Sequence, residues 1–258
     1  MALAAGAGRR LAPLTYERPK ALCPVGDVPL VDLAIDRLAR AFGGEARDLG
    51  PDNIAVNVHH GRAQMEAHLA GAPVYCSVEA TRALGTAGAL SRLRDWIARR
   101  PVLVTNADAW LPADLDLTGF LAGWDGERPR VLCVDDPRRG DFDGSRYCGV
   151  ALLAWSTVAR FETEPAGLYE VCWCQAWAAG WLDVVTHPGP FVDCGTPADY
   201  LAANLLASGG ASVIGRGARV GEGATVQRSV LWPRARVAAG EVLVDAVRTA
   251  GRITVLVR

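Results

Sequence analysis

Two glycines, three arginines and the chain's sole lysine crowd together near its start, in LAAGAGRRLAPLTYERPKALCPV from Leu3 to Val25. Gly6 and Gly8 can take backbone angles closed to other residues and let a ligand come near the main chain. Successive exposed N–H groups in such a turn form a concavity for phosphate oxygens, and Arg9, Arg10 and Lys20 add positive charge beside it. Two familiar phosphate loops do not fit. A dinucleotide fingerprint G-x-G-x-x-G needs its third glycine at Leu11, and a P-loop needs Ser or Thr where Ala21 stands. Composition singles out Lys20 as well: of 27 basic residues it alone is a lysine. A guanidinium does not faithfully replace a compact ammonium on a flexible stem, so a lysine kept against this bias is the first candidate functional residue.

Carboxylates that could complement such a loop stand at two places. VLVTNADAW puts Asp108 just after an apolar run, and PFVDCGTPADYL puts Asp193 before a turn and a helix. A few hard oxygen ligands of this kind suit Mg²⁺, which keeps waters and uses substrate phosphates. Asp199 reads instead as an acid in the first turn of a helix. In EATRALGTAGAL, from Glu79 to Leu90, Gly85 and Gly88 would let a flat base approach the backbone, and Thr86 would cap the following helix. His59 and His60 are neighbours on a strand and point to opposite faces, so they read as structural residues and not as a shared metal site. Cys172 and Cys174 lack two further ligands at zinc spacing. Trp173, Trp177 and Trp181 recur every fourth residue and read as a packing face.

The elements that must hold these residues alternate. Leu30 to Phe42 has apolar positions at helical spacing, and Asn53 to His59 alternates as a strand should. A helix around Gln64 to Leu69, a strand at Pro73 to Val78, a helix from Thr86 to Ala98 and a buried strand at Val102 to Thr105 follow. This order predicts an α/β, Rossmann-like fold: a mostly parallel sheet with helices on both faces. Ligands in such sheets sit beyond the carboxyl ends of the strands, where Asp108 would lie. Further strands are expected at Val131 to Val134, Gly149 to Ala154 and Leu182 to Val185, and a helix at Pro197 to Ala207. From Ile214 the chain turns to a six-residue period, with aliphatics at 214, 220 and 226 and a second phase at Leu231, Val237 and Leu243. Such a period predicts a short left-handed parallel β-helix. The expected domains are therefore 1–208 and an appendage over 209–258, which is too short to stand alone and could build a homo-oligomer interface.

GAGRRLAPLT followed by RPKALCPV resembles the signature of the sugar-1-phosphate nucleotidylyltransferases, with Arg9 where that family has a small hydroxyl residue. The resemblance runs on through LGTAGAL, NADAW, YCGVALL, GLYEV and DCGTPADY to the C-terminal repeats. It implies a Mg²⁺-dependent enzyme whose substrates are a nucleoside triphosphate and a sugar 1-phosphate. Leu3, Ala4, Ala5, Gly6, Gly8 and Arg9, with Glu79, Gly85 and Thr86, would then bind the nucleotide. Arg10 and Lys20 would be catalytic, Asp108 and Asp193 would hold the metal, and Gly149 and Glu170 would meet the sugar. Many relatives carry a lysine directly after that glutamate, where Val171 stands here. The LGTAGAL form leans toward the mannose-1-phosphate guanylyltransferase branch. The rival is a non-catalytic, nucleotide-sugar-binding regulatory subunit, which would tend to lose the basic loop or a metal aspartate; both are kept. A molybdenum-cofactor-type nucleotidyltransferase is disfavoured by PLT…PK and by the tail. An acyltransferase built on the repeats would want more coils, and a histidine among them.

Composition excludes more than it selects. A net charge of −1 gives no field drawing the chain to nucleic acid or an anionic membrane, and no apolar run approaches a membrane span. The first residues lack a basic-then-apolar leader, and the short first strand leaves an upstream start open. Seven scattered cysteines, an odd number, read as reduced thiols of a cytoplasmic protein.

Overall fold

In the computed structural model, which describes residues 1–257, contacts divide the chain into two units. The first comprises Met1–Gly6, Leu33–Ala107 and Leu111–Phe191; the second comprises Ala7–Asp32, Asp108–Trp110 and the chain from Val192 onward.

The first unit is built on a seven-stranded sheet. Its strands are β1 (Ala2–Leu3), β2 (Ala55–Val58), β3 (Tyr75–Val78), β4 (Val102–Asn106), β5 (Arg130–Asp135), β6 (Ser145–Leu153) and β7 (Asp183–Thr186), in the order β7-β5-β6-β4-β1-β2-β3. β1 pairs in parallel with both β2 and β4, and β2 with β3 and β5 with β7 likewise; only β6 runs antiparallel, between β4 and β5. The expected α/β class with a mostly parallel sheet is thus present. β2 is buried along its whole length, and Ile54 just before it, with Val56 and Val58 within it, are 1% exposed or less. The parallel pairing puts the carboxyl ends of β1, β2, β3 and β4 at the same edge of the sheet.

The core beneath β4, β5 and β6 brings Leu90, Leu93, Ile97, Val104, Val131 and Leu153 together. Each such side chain, fully buried, contributes about 1.5–3 kcal/mol relative to exposure. The helix expected over Thr86 to Ala98 is broken: Gly85–Arg92 and Arg94–Ile97 are separated at Leu93, whose ψ of 11° leaves the helical range. The tryptophan repeat does not form one face either. Trp173 packs in the core with its ring 4.3 Å from that of Tyr147, while Trp177 and Trp181 are exposed and the helix ends at Ala178.

In the second unit, the helix Pro197–Ala207 starts as its sequence dictates. Thr196 accepts from the Asp199 N–H at 3.2 Å and donates to its carboxylate at 2.7 Å, with Pro197 in the first turn. Beyond it, Val213–Ile214, Val230–Leu231 and Ala246–Arg248 form a parallel ladder that Thr254–Leu256 joins antiparallel. Arg219–Val220 pairs with Arg236–Val237, and Thr225–Gln227 with Val242–Val244, again in parallel. The Ser229 N–H donates to Ser212 Oγ and the Ala246 N–H to Ser229 Oγ, each across 17 residues. Where a β-helix was expected, the described residues form two- and three-residue strands in separate small sheets, around Leu231, Val237 and Leu243. No helix among the described residues is long and apolar enough to cross a membrane.

Candidate active site

Four of the candidate residues meet in the second unit. Asp193 pairs with Ala109 in a two-stranded antiparallel ladder, which brings the adjacent Asp108 beside it. Lys20 Nζ donates to Asp108 Oδ2 at 3.0 Å and to Asp193 Oδ1 at 3.3 Å. Arg10 reaches the other oxygen of Asp193 at 3.4 Å. The lysine side chain is only 7% exposed, whereas the aspartates are 43% and 31% exposed. Burial alone would lower the Lys20 pKa; the two carboxylates more than offset it and hold the ammonium above its ordinary range. The lysine is therefore a fixed positive charge at neutral pH, with carboxylate oxygens still open to water around it.

Gly8 explains how the loop and the lysine share this space. Its φ is +60°, and a Cβ there would lie 2.8 Å from Lys20 Cβ, so only glycine lets the stem pass. Beside Gly6 the space is open, with nothing within 4 Å of where a side chain would begin. Arg9 is exposed. The nearby thiols are inert: burial pushes Cys23 up to about 12 and raises Cys194 too.

In the first unit a buried polar chain joins two of the candidate loops. The Ala4 N–H donates to Asn57 Oδ1 at 2.9 Å, and Asn57 Nδ2 donates to Glu79 Oε1 at 2.7 Å. The second oxygen of Glu79 accepts from the Leu84 N–H at 2.7 Å. Glu79 is 2% exposed and both its oxygens are used, so it positions Leu84 and does not face a ligand. His60 Nδ1 meets the Ala5 carbonyl at 3.0 Å and His59 Nδ1 that of Glu79 at 2.6 Å, the structural role expected of them. Sequence reasoning missed Asn57. Its signal was a lone amide in a strand apolar at every other position, where a buried polar group must find partners. Exchanging Asn57 for leucine would orphan the Ala4 N–H and strip Glu79, at about 1–3 kcal/mol per group. A melting temperature lowered by several degrees is expected, and an unchanged thermal scan would deny the network its role.

Two expectations for the LGTAG stretch are corrected. A Cβ at Gly85 or Gly88 would lie 2.4 Å from the Ala166 carbonyl oxygen or 2.3 Å from that of Glu164. Both glycines therefore admit a protein segment, not the flat face of a base. Thr86 does not cap its helix, whose N-cap is Leu84; its hydroxyl instead accepts from the Leu168 N–H at 2.7 Å. These contacts anchor the segment leading to Glu170, which is exposed on a turn of π-helix, Tyr169–Trp173. Such turns concentrate at functional sites. Gly149, with φ of +81°, sits at a register shift where Leu132 pairs with Val150 but Cys133 with Tyr147. Leu3 is buried in β1.

Asp108 and Asp193 offer hard carboxylate oxygens beside the Lys20 ammonium, and among the described residues no cluster of three or more metal-ligating side chains forms. That donor set fits a Mg²⁺ that completes its shell with water and phosphate.

A mostly parallel α/β sheet in one unit, and a lysine between two aspartates near a glycine-arginine loop in the other, are features suited to a nucleotide-handling protein. The sequence profile of the nucleotidyl transferase family matches residues 1–133, and the chain belongs to that family. It is 36% identical over 171 residues to the N-acetylmuramate alpha-1-phosphate uridylyltransferase of Caulobacter vibrioides, spanning 63% of this chain and 67% of that one. To the protein named probable mannose-1-phosphate guanylyltransferase 3 of Oryza sativa subsp. japonica it is 26% identical, over 98% of this chain and 80% of that one. A Bacillus anthracis protein assigned as a glucose-1-phosphate thymidylyltransferase, solved with sucrose, shares the fold with a TM-score of 0.66 and 20% identity. That match covers 80% of this chain and 93% of that one.

Proposed function

We propose that the chain transfers a nucleotidyl group from a nucleoside triphosphate to a sugar 1-phosphate, releasing pyrophosphate. The observation that carries this reading is the buried Lys20 ammonium held by Asp108 and Asp193 in a member of the nucleotidyl transferase family. A phosphate oxygen of the sugar attacks the α-phosphorus; that P–O bond forms as the bond to the β-phosphate oxygen breaks. The Gly6–Arg10 loop would cradle the triphosphate with its N–H groups, Arg10 would hold the departing pyrophosphate, and Lys20 would stabilise charge on the transferring group. Main-chain groups of Leu3 to Ala5, with Ala4 set by Asn57, would receive the nucleoside. Gly149 and Glu170 would meet the sugar. Asp108 and Asp193 would hold Mg²⁺, which when bound neutralises phosphate charge.

Two substrate pairs lead. The LGTAGAL form favours GTP with mannose 1-phosphate, and the 36% identity to the Caulobacter enzyme favours UTP with N-acetylmuramate 1-phosphate. The 17-residue spacing of the C-terminal ladders supports reading 209–258 as a left-handed β-helix; association of copies through it, in the cytoplasm, is the remaining part of the proposal. The test is pyrophosphate release with Mg²⁺ across a grid of nucleoside triphosphates and sugar 1-phosphates. Release that requires one pair is expected. Silence across the grid, with a nucleotide-sugar still bound in calorimetry, would replace the enzyme with the regulatory subunit.

A further inference from the structure

The C-terminal segment does more in the second unit than stack strand on strand, because three residues just beyond its strands grip the stretch that ends in Lys20. Arg18 lies with its guanidinium carbon 4.3 Å from the centre of the Trp232 ring, a cation–π contact. The carboxylate of Glu17 accepts from the Thr249 hydroxyl and, at 3.2 Å, from the Gly251 N–H. A Cβ at Gly251 would lie 2.5 Å from Glu17 Oε1, so the carboxylate is seated where only glycine leaves room. On the far side of the lysine, the Pro24 carbonyl accepts from the Tyr200 hydroxyl, which itself accepts from Trp232 Nε1 at 2.9 Å. Trp232, Tyr200 and Thr249 are fully buried, which makes these fixed anchors.

We propose that Trp232, Thr249 and Gly251 are positioning residues for catalysis, bracing Glu17 and Arg18 so that the Lys20 ammonium meets its phosphate. The proposal rests on the catalytic reading of Lys20 given above. A short stretch clamped at Glu17–Arg18 and at Pro24 leaves the lysine stem little freedom, and a displacement of about 1 Å in a reacting geometry costs on the order of 100-fold. The repeats are then part of the catalytic apparatus, contributing no group that touches substrate.

The sole lysine makes the test direct. Gly251→Ala displaces only the flexible end of Glu17 and should fold; Thr249→Val removes one donor of the same carboxylate. In the full chain, each is expected to lower kcat about 10–100-fold with the KM for nucleoside triphosphate within about twofold. Each should also raise the rate at which acetic anhydride labels the Lys20 amine, read by mass spectrometry on the lysine peptide. In a Lys20→Ala background neither should lower turnover further, because the brace acts through that lysine. Unchanged kcat and labelling in both variants, with wild type active and Lys20→Ala strongly slowed, would sink the brace alone. A loss that persists in the Lys20→Ala background would do the same by showing general damage. Normal turnover by Lys20→Ala would overturn the catalytic reading of the lysine, and the proposal with it.

Discussion

Lys20→Ala is expected to lower the rate of the proposed nucleotidyl transfer by about 10²–10³-fold, the scale of removing one preorganised electrostatic stabiliser. The side chain is 7% exposed and held by two carboxylates, so its charge is fixed before any substrate arrives. Lys20→Arg should recover little. A planar guanidinium presents its charge in a fork and does not fit a slot shaped around one ammonium between Asp108 and Asp193. The sign of the pH effect follows from the raised pKa. The ion pairs stabilise the fold fully below the ordinary lysine value of 10.5, and that contribution disappears as pH climbs through the higher folded value. The rate should therefore show no limb from Lys20 between about pH 6 and pH 9. Initial rates of pyrophosphate release across that range test both statements. A Lys20→Ala enzyme within threefold of wild type would remove the lysine from the mechanism.

Asp108→Asn and Asp193→Asn should each cost about 10²–10³-fold in turnover and raise the Mg²⁺ concentration needed for half-maximal rate. The amide keeps the size of the carboxylate and can still accept from Lys20, so the fold is expected to persist, as the melting temperature will report. Because both aspartates act on the same cations, the double variant should lose far less than the product of the single losses. The lysine should register the change too: without Asp108 one of the charges that raises its pKa is gone while the cost of burial remains. A Mg²⁺ titration superimposable on wild type would exclude that aspartate as a metal ligand.

Lys20, Asp108 and Asp193 were legible in the sequence because each stands out locally: a lysine kept against an arginine bias, and aspartates just beyond apolar runs. The layered sheet was legible because alternating strands and helices leave few other solutions. Asn57 was not, since its amide sits inside an alternating strand and its partners, Ala4 and Glu79, are remote in sequence. Gly85, Gly88 and Thr86 were legible as special but not in their purpose. What presses against the glycines, and what Thr86 binds, is the stretch from Glu164 to Leu168, more than seventy residues away in the chain. Local spacing shows that a glycine is needed without showing what it admits.

The second unit takes its residues from three separate stretches of chain, and this bears on when the site comes into being. The bond from Lys20 to Asp193 spans 173 residues. At ribosomal speeds of about 5–20 residues per second, the lysine waits on the order of ten seconds or more for that partner. Glu17 waits longer still for Thr249, 232 residues on. During synthesis the sheet can assemble strand by strand while the lysine loop stays hydrated and unclamped. The charged cluster is completed only once Asp193 has been made, so a nascent chain halted before it would carry sheet strands and an unfinished site.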